Sequence, residues 1–548
     1  MYLLENPVLQ RELVSNLRMT RSFVLLAAYV GLLGLLVYAA WPGEQKLDLA
    51  RPEKAQELVN LFFFGQYLLV SLMTPSFAAG AITGEKERES FEMLMASPIK
   101  PGAIVLGKLA ASLTHLAILM VCSLPIVMLC LPLGGVSLYE VFAAYFAMVT
   151  SVALFGMICL WCSSFFGRTS AALVVSYLII LPLVMVGVLI WQAFQQNASL
   201  RLLIFTTVAP IACGSVAVLL WYDITRRLLS AQDLGTEGKQ TIDLETEAKE
   251  AVGLYINRED WPDRMFAPPK RTTFLEEKAN PIYDKEIRSE IFSQGTLMLR
   301  LVIQISMFLA LFVMAVCLYL YPQHAAWYIA YVLMFNLLVG PVFSAGSITS
   351  ERERQTLDLL LTTLITPWQM LWGKLFSGLR VSSVLTGFLL WPVVLACILP
   401  SDYWSNLPTM GGYLLIVAAC AITTAMVALF CSTLFRKSAT ALMASYLILA
   451  TLFLAPSAAN VFTDTFLQDS DADRIAELTQ ITSPFAASFN LPLNVTTKDR
   501  SGKETAVSNV DRIDVRIFWG YLGFSLLLNG GLLLAMSWLF NVRWRVSE

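Results

Sequence analysis

The chain contains one charged segment twice. Residues 80–109 and 346–375 align without a gap at an offset of 266 residues and share 12 of 30 positions. Most shared positions hold charged or small residues, such as Glu85/Glu351 and Gly107/Gly373, which two unrelated membrane helices would not share by composition. Two further matches keep the same order, Asn6-Pro7 with Asn280-Pro281 and Cys162-Ser163 with Cys431-Ser432. The chain is therefore one unit repeated twice.

Long apolar runs predict a protein that lies in a membrane. The 548 residues are 57% hydrophobic and 14% charged, which is far too apolar for a soluble globular chain. A helix needs roughly 20 apolar residues to cross a hydrocarbon core of about 30 Å. Twelve such runs lie near residues 22–41, 58–81, 102–131, 138–166, 170–195 and 202–222, and near 296–321, 325–349, 368–399, 408–435, 439–461 and 515–540. We predict an all-α integral membrane protein with about 12 transmembrane helices, arranged as two parallel six-helix repeats.

Basic residues in the short loops orient the spans. Such residues mark the cytoplasmic side, which places Lys86 with Arg88, Arg226 with Arg227, and Arg436 inside. We therefore predict a multi-pass protein of the inner (cytoplasmic) membrane of the cell, with both termini on the cytoplasmic side. Six spans return the chain to the side where it started, so the second repeat enters the bilayer with the same orientation as the first.

Polar stretches divide the chain into units. We predict a first six-span unit at residues 1–222, a cytoplasmic linker at 223–279 and a second six-span unit at 280–548. A second polar stretch, about 462–514, lies between the fifth and sixth spans of the second unit and faces outward. This stretch is either an expanded loop without a function or a loop with a specialised function. The net charge of −2 gives no case for nucleic-acid binding.

The repeated motif follows the second span of each unit, at the cytoplasmic surface. On a single helix, Glu85, Arg88, Glu89 and Glu92 share one face, as do Glu351, Arg354, Gln355 and Asp358. We predict one short amphipathic helix in each repeat, followed by Lys108 or Lys374, whose long side chain can reach back to the interface. Acidic residues equal or outnumber basic ones on the polar face, which favours docking to a protein over binding to anionic lipid. A solvated helix that only positions the third span is the alternative.

Each unit also begins with an Asn-Pro pair. Proline fits the first turn of a helix, so Asn6-Pro7 with Glu12 and Asn280-Pro281 with Glu286 predict amphipathic helices at the cytoplasmic interface, just before the first span. These helices either anchor the chain in the membrane or contact a partner.

Together these motifs resemble the ABC-2 type permease family of ATP-binding-cassette transporters. The resemblance rests on Gly-x-Ile-Thr-x-Glu-[Lys/Arg]-Glu-Arg after the second of six spans and on the Gly-Lys entry to the third. It implies that the motif is a coupling helix that docks into a nucleotide-binding subunit, and that the permease exports its substrate. The docking residues implied are Glu85, Lys86, Glu87, Arg88, Glu351, Arg352, Glu353 and Arg354. Two docking helices imply two copies of an ABC-type ATPase, or two related ATPases, with ATP and Mg²⁺ bound by that partner.

The sequence lacks the motifs of an enzyme. It has no Gly-x-x-x-x-Gly-Lys-[Ser/Thr] loop to cradle nucleotide phosphates, so if transport is driven by ATP, hydrolysis belongs to another polypeptide. His115 and His324 are isolated, and the nine cysteines have no metal-ligand spacing and are typical of reduced, membrane-buried thiols. We predict no catalytic, cofactor or metal site in this chain. Two other classes stay open, a twelve-span secondary transporter and a non-transporting membrane scaffold.

Overall fold

A computed structural model describes most of the membrane-embedded part of the chain. The described residues are 7–17, 53–130, 137–167, 169–193, 198–229, 280–289, 297–320, 325–353, 355–363, 365–398, 406–466, 478–492, 494–498, 504–508 and 515–543, with scattered positions between 27 and 38. The chain divides into two compact units, Met1–Glu250 and Ala251–Glu548.

The described part of the first unit is helical. Its helices are α1 (Pro7–Leu17), α2 (Glu53–Ala78), α3 (Gly80–Glu87), α4 (Phe91–Met95), α5 (Pro101–Cys130), α6 (Leu138–Phe165), α7 (Thr169–Ala193), α8 (Ala198–Leu203) and α9 (Ala209–Leu229), with a π-helical turn at Ile204–Val208. Residues 223–229, which the sequence assigned to the linker, continue α9. The remainder of the predicted linker lies outside the described residues.

The second unit repeats this order and adds a hairpin. Its helices are α10 (Pro281–Ser289), α11 (Leu297–Met314), α12 (Ala325–Glu353), α13 (Leu357–Leu361), α14 (Pro367–Ile398), α15 (Leu407–Leu434), α16 (Ser438–Leu449), α17 (Ala455–Phe466), α18 (Pro484–Phe489) and α19 (Val515–Arg543). Turns of π-helix lie at Ala315–Leu320 and Ala450–Leu454, and a 3₁₀ turn at Gln480–Thr482. Strands β1 (Asn494–Lys498) and β2 (Glu504–Ser508) pair antiparallel, with Asn494 opposite Ser508.

The helices confirm the predicted class of an all-helical membrane protein, apart from this small hairpin. In the described part, ten helices are long and apolar enough to cross a membrane. The span predicted near residues 22–41 lies almost entirely outside the described residues. The span predicted near 296–321 coincides with α11 and the π-helical turn that follows it.

One helix forms the centre of each unit. In the first unit, α6 packs against α2, α5, α7 and α9; in the second, α15 packs against α12, α14, α16 and α19. Glycine permits the closest approaches, because a Cβ at Gly340 would lie 2.7 Å from Thr424 Oγ1 and one at Gly156 would lie 2.9 Å from Leu109 Cδ1. Close packing of small residues is a main source of helix association where lipid removes the hydrophobic drive.

Polar side chains inside the spans pair with one another. Gln66 Nε2 donates to Ser123 Oγ at 2.6 Å, and the Ser123 hydroxyl contacts that of Tyr145 at 2.8 Å. In the second unit, Thr386 Oγ1 donates to Asn336 Oδ1 at 3.0 Å. These pairs satisfy groups that would be costly to leave alone in hydrocarbon. His115 packs as the sequence predicts, with its ring stacked on Phe77 at 5.6 Å between centroids.

Part of the predicted outer loop packs against the helices. The segment 480–491 is largely buried, and Ser483 is fully so. Thr482 Oγ1 donates to Leu452 O at 2.9 Å and Ser483 Oγ donates to Phe453 O at 2.6 Å. Both carbonyls lie in the π-helical turn Ala450–Leu454, whose wide geometry leaves carbonyls available to outside donors. This part of the loop is therefore a fixed element of the second unit.

Candidate functional site

The repeated motif begins at a helix end and then turns sharply. Helix α3 ends at Glu87, and Glu89 has a φ of 57°, in the left-handed region. Ser90 N donates to Glu85 O at 3.0 Å, and Glu89 N donates to Lys86 O at 3.2 Å. This pair of bonds is the Schellman arrangement that terminates an α-helix.

The second unit has the same termination. Helix α12 ends at Glu353, and Gln355 also has a φ of 57°. Thr356 N donates to Glu351 O at 2.9 Å, and Gln355 N donates to Arg352 O at 3.1 Å. The prediction of one continuous amphipathic helix is therefore wrong. A left-handed residue separates α3 from α4 and α12 from α13, so residues on either side of the turn do not share a helical face.

The first acidic residue of each motif turns back into the protein. The Ser90 hydroxyl donates to the Glu85 carboxylate, and the Thr356 hydroxyl donates to the Glu351 carboxylate. Ser90 and Thr356 each follow the left-handed residue, so the turn itself supplies the donor. The sequence analysis assigned Glu85 and Glu351 to a docking face, but both side chains are used inside the unit.

A buried lysine joins three helices in the first unit. Lys108, near the start of α5, is only 3% exposed. Its Nζ lies 3.3 Å from Glu85 Oε1 and 3.5 Å from Glu12 Oε1 on α1. This lysine is therefore buried inside the unit, where two carboxylates offset the cost of burying its charge.

The second unit builds the same cluster, with a shorter contact to the glutamate of the Asn-Pro helix and a longer one to the motif glutamate. Lys374 is 1% exposed, and its Nζ lies 2.9 Å from Glu286 Oε1 and 3.6 Å from Glu351 Oε1. It also donates to Ser347 O at 2.6 Å, while Lys285 on α10 donates to Glu351 at 2.9 Å. We call Lys108 with Glu12 and Glu85, and Lys374 with Glu286 and Glu351, the lysine clusters. Each one fixes the Asn-Pro helix, the motif and the third span to one another.

The Asn-Pro pair begins the helix that enters each lysine cluster. Pro281 occupies the first position of α10, and Asn280 Oδ1 accepts a hydrogen bond from Ile282 N at 3.0 Å. This is an N-cap, and it also ties α10 to α14, since Asn280 Nδ2 donates to Gln369 O at 2.7 Å. Pro7 likewise begins α1. Asn6 lies outside the described residues.

The next two motif residues hold a turn elsewhere in the first unit. Lys86 Nζ donates to Ser164 O at 2.7 Å and to Phe166 O at 3.2 Å, at the end of α6. Glu87 Oε1 accepts from Thr169 N at 2.7 Å, at the start of α7. A cation thus meets the carbonyl end of one helix and an anion meets the amide end of the next, which matches both helix dipoles.

Arg352 and Glu353 do the same in the second unit. Arg352 donates to Phe435 O at 2.7 Å and to Thr433 O at 2.9 Å, while Glu353 Oε1 accepts from Ser438 N at 2.9 Å. We call these contacts the helix-end clamps, of Lys86 and Glu87 in the first unit and of Arg352 and Glu353 in the second. They use four of the eight residues that the sequence assigned to docking.

A serine missed by sequence reasoning completes each clamp. Ser163 Oγ accepts from Ile82 N at 3.2 Å and Thr83 N at 2.9 Å. Ser432 Oγ accepts from Ile348 N at 2.9 Å and Thr349 N at 3.1 Å. The repeated Cys-Ser pairs already marked both serines as equivalent, and this repetition was the signal that could have identified them.

The comparison with known families agrees with this repeated geometry. The sequence model described as ABC-2 family transporter protein matches the chain twice, at residues 10–218 and 199–539. The chain belongs to the ABC-2 transporter family. No curated protein matches it. It is therefore a multi-pass membrane protein and a permease subunit of an ABC transporter, of a family that lacks an ATPase domain of its own and associates with ABC ATPase subunits. This membership confirms the resemblance drawn from the motifs.

Beyond each clamp, the permease exposes a short tip. The first tip is residues 88–98 and includes α4; the second tip is residues 355–363 and includes α13. Met93 is 77% exposed and Leu359 is 69% exposed. These two residues occupy equivalent positions at the offset of 266 residues, and the sequence analysis singled out neither. Arg88 is exposed on the first tip, and its counterpart Arg354 lies outside the described residues.

Proposed function

We propose that this permease couples to its ATPase subunits through the two tips and exports its substrate. One observation carries the proposal: both units hold the same lysine cluster and the same helix-end clamp, and both project an exposed apolar residue at the equivalent position just beyond them. Exposed large apolar residues ringed by polar ones are typical of protein interfaces. The family supplies the occupant, an ABC-type ATPase.

The described contacts separate the residues that hold the motif within its unit from the residues that are free to dock the ATPase. Glu85, Lys86 and Glu87 bind within the first unit, as Glu351, Arg352 and Glu353 bind within the second. On the tips beyond them, Met93 and Leu359 are exposed and serve as the apolar anchors. Docking therefore belongs to the tips, and the motif residues support those tips.

The clamp connects the tip mechanically to the helices of its unit, so that a movement of the tip is passed on to them. The first tip follows directly on α3, which contacts α6 and α7 through Lys86 and Glu87. The lysine cluster adds α1 and α5 through Lys108. A force on Met93 thus acts on several helices together. In the proposed cycle, ATP-driven closure of the ATPases moves the tips, and the spans rock to open a path outward.

The proposal includes the arrangement of the complex. One ATPase subunit binds at each tip, so one chain takes two copies, and ATP with Mg²⁺ is bound by those copies. The protein lies in the inner membrane, and its tips and both termini are on the cytoplasmic side. With the end of α9 assigned to the first unit, the six-span units are residues 1–229 and 280–548, joined by a cytoplasmic linker at 230–279 and with the loop 462–514 outside. Export is the direction that the family resemblance favours.

The test is co-purification of a tagged chain from its native membrane with mass spectrometry of bound ATPase subunits. Met93→Asp with Leu359→Asp places charge at both anchors without touching a clamp. We expect this double variant to purify at the normal level and to lose the ABC-type ATPase. The matched control is Tyr139→Asp with Leu407→Asp, since both residues are exposed and lie at the far ends of α6 and α15 from the clamps. Equal recovery of the ATPase with the double variant and the control would refute docking at the tips.

A further inference from the structure

Each unit has a proline in the middle of its second span. The second spans are Val59–Glu87, which joins α2 and α3, and Ala325–Glu353, which is α12. Pro75 and Pro341 lie inside them at equivalent positions, and both are buried. A proline within a helix has no N–H for the carbonyl four residues earlier, and its ring forces that turn open. Each second span can therefore bend at its proline.

A tyrosine from a neighbouring helix bonds to that turn in both units. Tyr177 on α7 donates to Leu72 O at 3.0 Å, and Tyr446 on α16 donates to Leu338 O at 2.6 Å. Each acceptor lies three residues before the proline. In hydrocarbon, a backbone carbonyl on a broken turn is costly unless a neighbouring helix supplies a donor. The two hydroxyls supply this donor, and they attach α7 and α16 to the point where the second span can bend.

The same arrangement occurs at a third proline. Tyr328 on α12 donates to Leu389 O at 2.7 Å, and Leu389 lies three residues before Pro392 in α14. Tyr328 is fully buried. Because the bond recurs between a different pair of helices, it follows the proline and not the composition of one helix pair. The carbonyl before each of these prolines is therefore available to a donor from outside its helix.

The proline separates two parts of α12 that are held by different contacts. We call the part from the proline to the motif the motif half, and the other part the far half. In the motif half, Tyr446 and Glu353 bond α12 to α16 at two points, and the lysine cluster holds its end. In the far half, Tyr328 and Asn336 bond α12 to α14. Residues 338–353 separate the two contacts with α16 and span about 22 Å at 1.5 Å per residue, so α16 follows the whole motif half.

The first unit has the same arrangement. Glu87 bonds to the start of α7 and Tyr177 bonds to the turn before Pro75, so α7 is also attached at two points of the motif half. In the far half, Gln66 bonds to Ser123 on α5. Two helices that are joined at both ends of a segment resist bending within that segment. The place that is left for a bend is the proline itself.

We propose that Tyr177 and Tyr446 couple the movement of the tips to a bend in the middle of each second span. With both contacts in place, each motif half and the helix bonded to it move as one body, and the span bends at Pro75 or Pro341. The inference rests on the proposed function, since the ATPases supply the movement. It makes the two tyrosines positioning residues, which change the shape of the path without having to touch the substrate.

The experiment measures the bend in the second unit as a distance. Spin labels are placed at Met443→Cys on α16, which moves with the motif half, and at Val394→Cys on α14, which is bonded to the far half. Both positions are exposed. The full chain with its co-purified ATPase is studied in lipid nanodiscs, with and without a non-hydrolysable ATP analogue and Mg²⁺. We expect the distance between the labels to shift by several ångströms when the nucleotide binds. A chain without the two new cysteines measures the background from the native thiols.

Two double variants of this labelled chain separate coupling from stability. Tyr177→Phe with Tyr446→Phe removes only the two hydroxyls, and we expect it to bind the ATPase as tightly as before and to lose most of the distance shift. Pro75→Ala with Pro341→Ala restores an N–H to each turn, so we expect an unfolding temperature that is unchanged or higher, and again a lost shift. The matched control is Tyr521→Phe, a buried tyrosine whose hydroxyl has no partner among the described residues, and it should keep the shift.

A full shift in the tyrosine variant or in the proline variant would overturn the inference while leaving docking at the tips intact. So would a wild-type chain that binds its ATPase and shows no shift with the nucleotide. Loss of the shift together with loss of ATPase binding in the tyrosine variant would show that the hydroxyls only support the fold, and would also overturn it. Recovery of no ABC-type ATPase with the wild-type chain would overturn the proposed function, and the inference with it.

Discussion

Glu353 caps a helix that begins 85 residues later in the chain. Its carboxylate accepts a hydrogen bond from Ser438 N at 2.9 Å and a second from the Ser438 hydroxyl at 2.8 Å. Ser438 is the first residue of α16, so the negative charge lies at the positive end of the helix dipole. A residue that looks like part of a charged docking surface is therefore committed to the fold of its own unit.

This contact predicts that charge at Glu353 matters for stability and not for docking. Glu353→Gln keeps an acceptor oxygen and removes the charge, so we expect the free energy of unfolding to fall by about 0.5–1 kcal/mol. The affinity for the ATPase should stay unchanged. Thermal unfolding in detergent and ATPase binding in nanodiscs measure the two effects separately. A variant with normal stability and weak binding would place Glu353 in the interface instead.

The buried lysine predicts a large loss of stability in the second unit. Lys374→Met leaves Glu286 and Glu351 without their buried cation, and we expect a loss of about 3–5 kcal/mol. The matched control is Lys285→Met, whose side chain is 53% exposed and whose bond to Glu351 should contribute about 1 kcal/mol or less. Comparable unfolding temperatures for the two variants would show that burial of the Lys374 ammonium carries no special cost.

The left-handed turns predict an unusual response to glycine. Gln355 holds a φ of 57°, which is strained for a side chain with a Cβ and free of strain for glycine. Gln355→Gly should therefore stabilise the protein by about 1 kcal/mol, and Gln355→Val should destabilise it, because a β-branched residue tolerates this conformation least. The same pair of substitutions at Glu89 should behave alike. Unfolding temperatures that fall for both substitutions would contradict the turn geometry.

Close helix packing predicts opposite outcomes for two glycines of α12. A Cβ at Gly340 would lie 2.7 Å from Thr424 Oγ1 and 3.3 Å from Thr424 Cβ, while a Cβ at Gly346 meets nothing within 4 Å. Gly340→Ala should cost about 1–3 kcal/mol, because Thr424 must shift and weaken its bond to Ala421 O. Gly346→Ala should be neutral or stabilising, since alanine is the better helix former. A loss at Gly346 as large as that at Gly340 would argue against this packing.

Much of the fold and the position of the site could be predicted from sequence. The gapless repeat and the apolar runs identified a duplicated membrane protein, and the motif residues do come together in both units. The continuous helix was wrong because Glu89 and Gln355 carry no local signal for a left-handed turn. The lysine clusters were missed because Glu286 and Lys374 are 88 residues apart, and no periodicity links them. Met93 and Leu359 were missed because exposure of an apolar residue depends on how the whole tip is held.

Clamp and tip use different residues, so the two copies of a duplicated gene can change one without changing the other. Glu85/Glu351, Glu87/Glu353 and Lys108/Lys374 are identical in the two copies, and each bonds to groups inside its own unit. Met93 and Leu359 make none of the hydrogen bonds of the clamps, and at this position the two copies carry different residues. Mutation after the duplication could therefore change what each tip recognises while leaving its mechanical attachment as it was. One ancestral subunit could in this way give rise to two halves that no longer need identical partners.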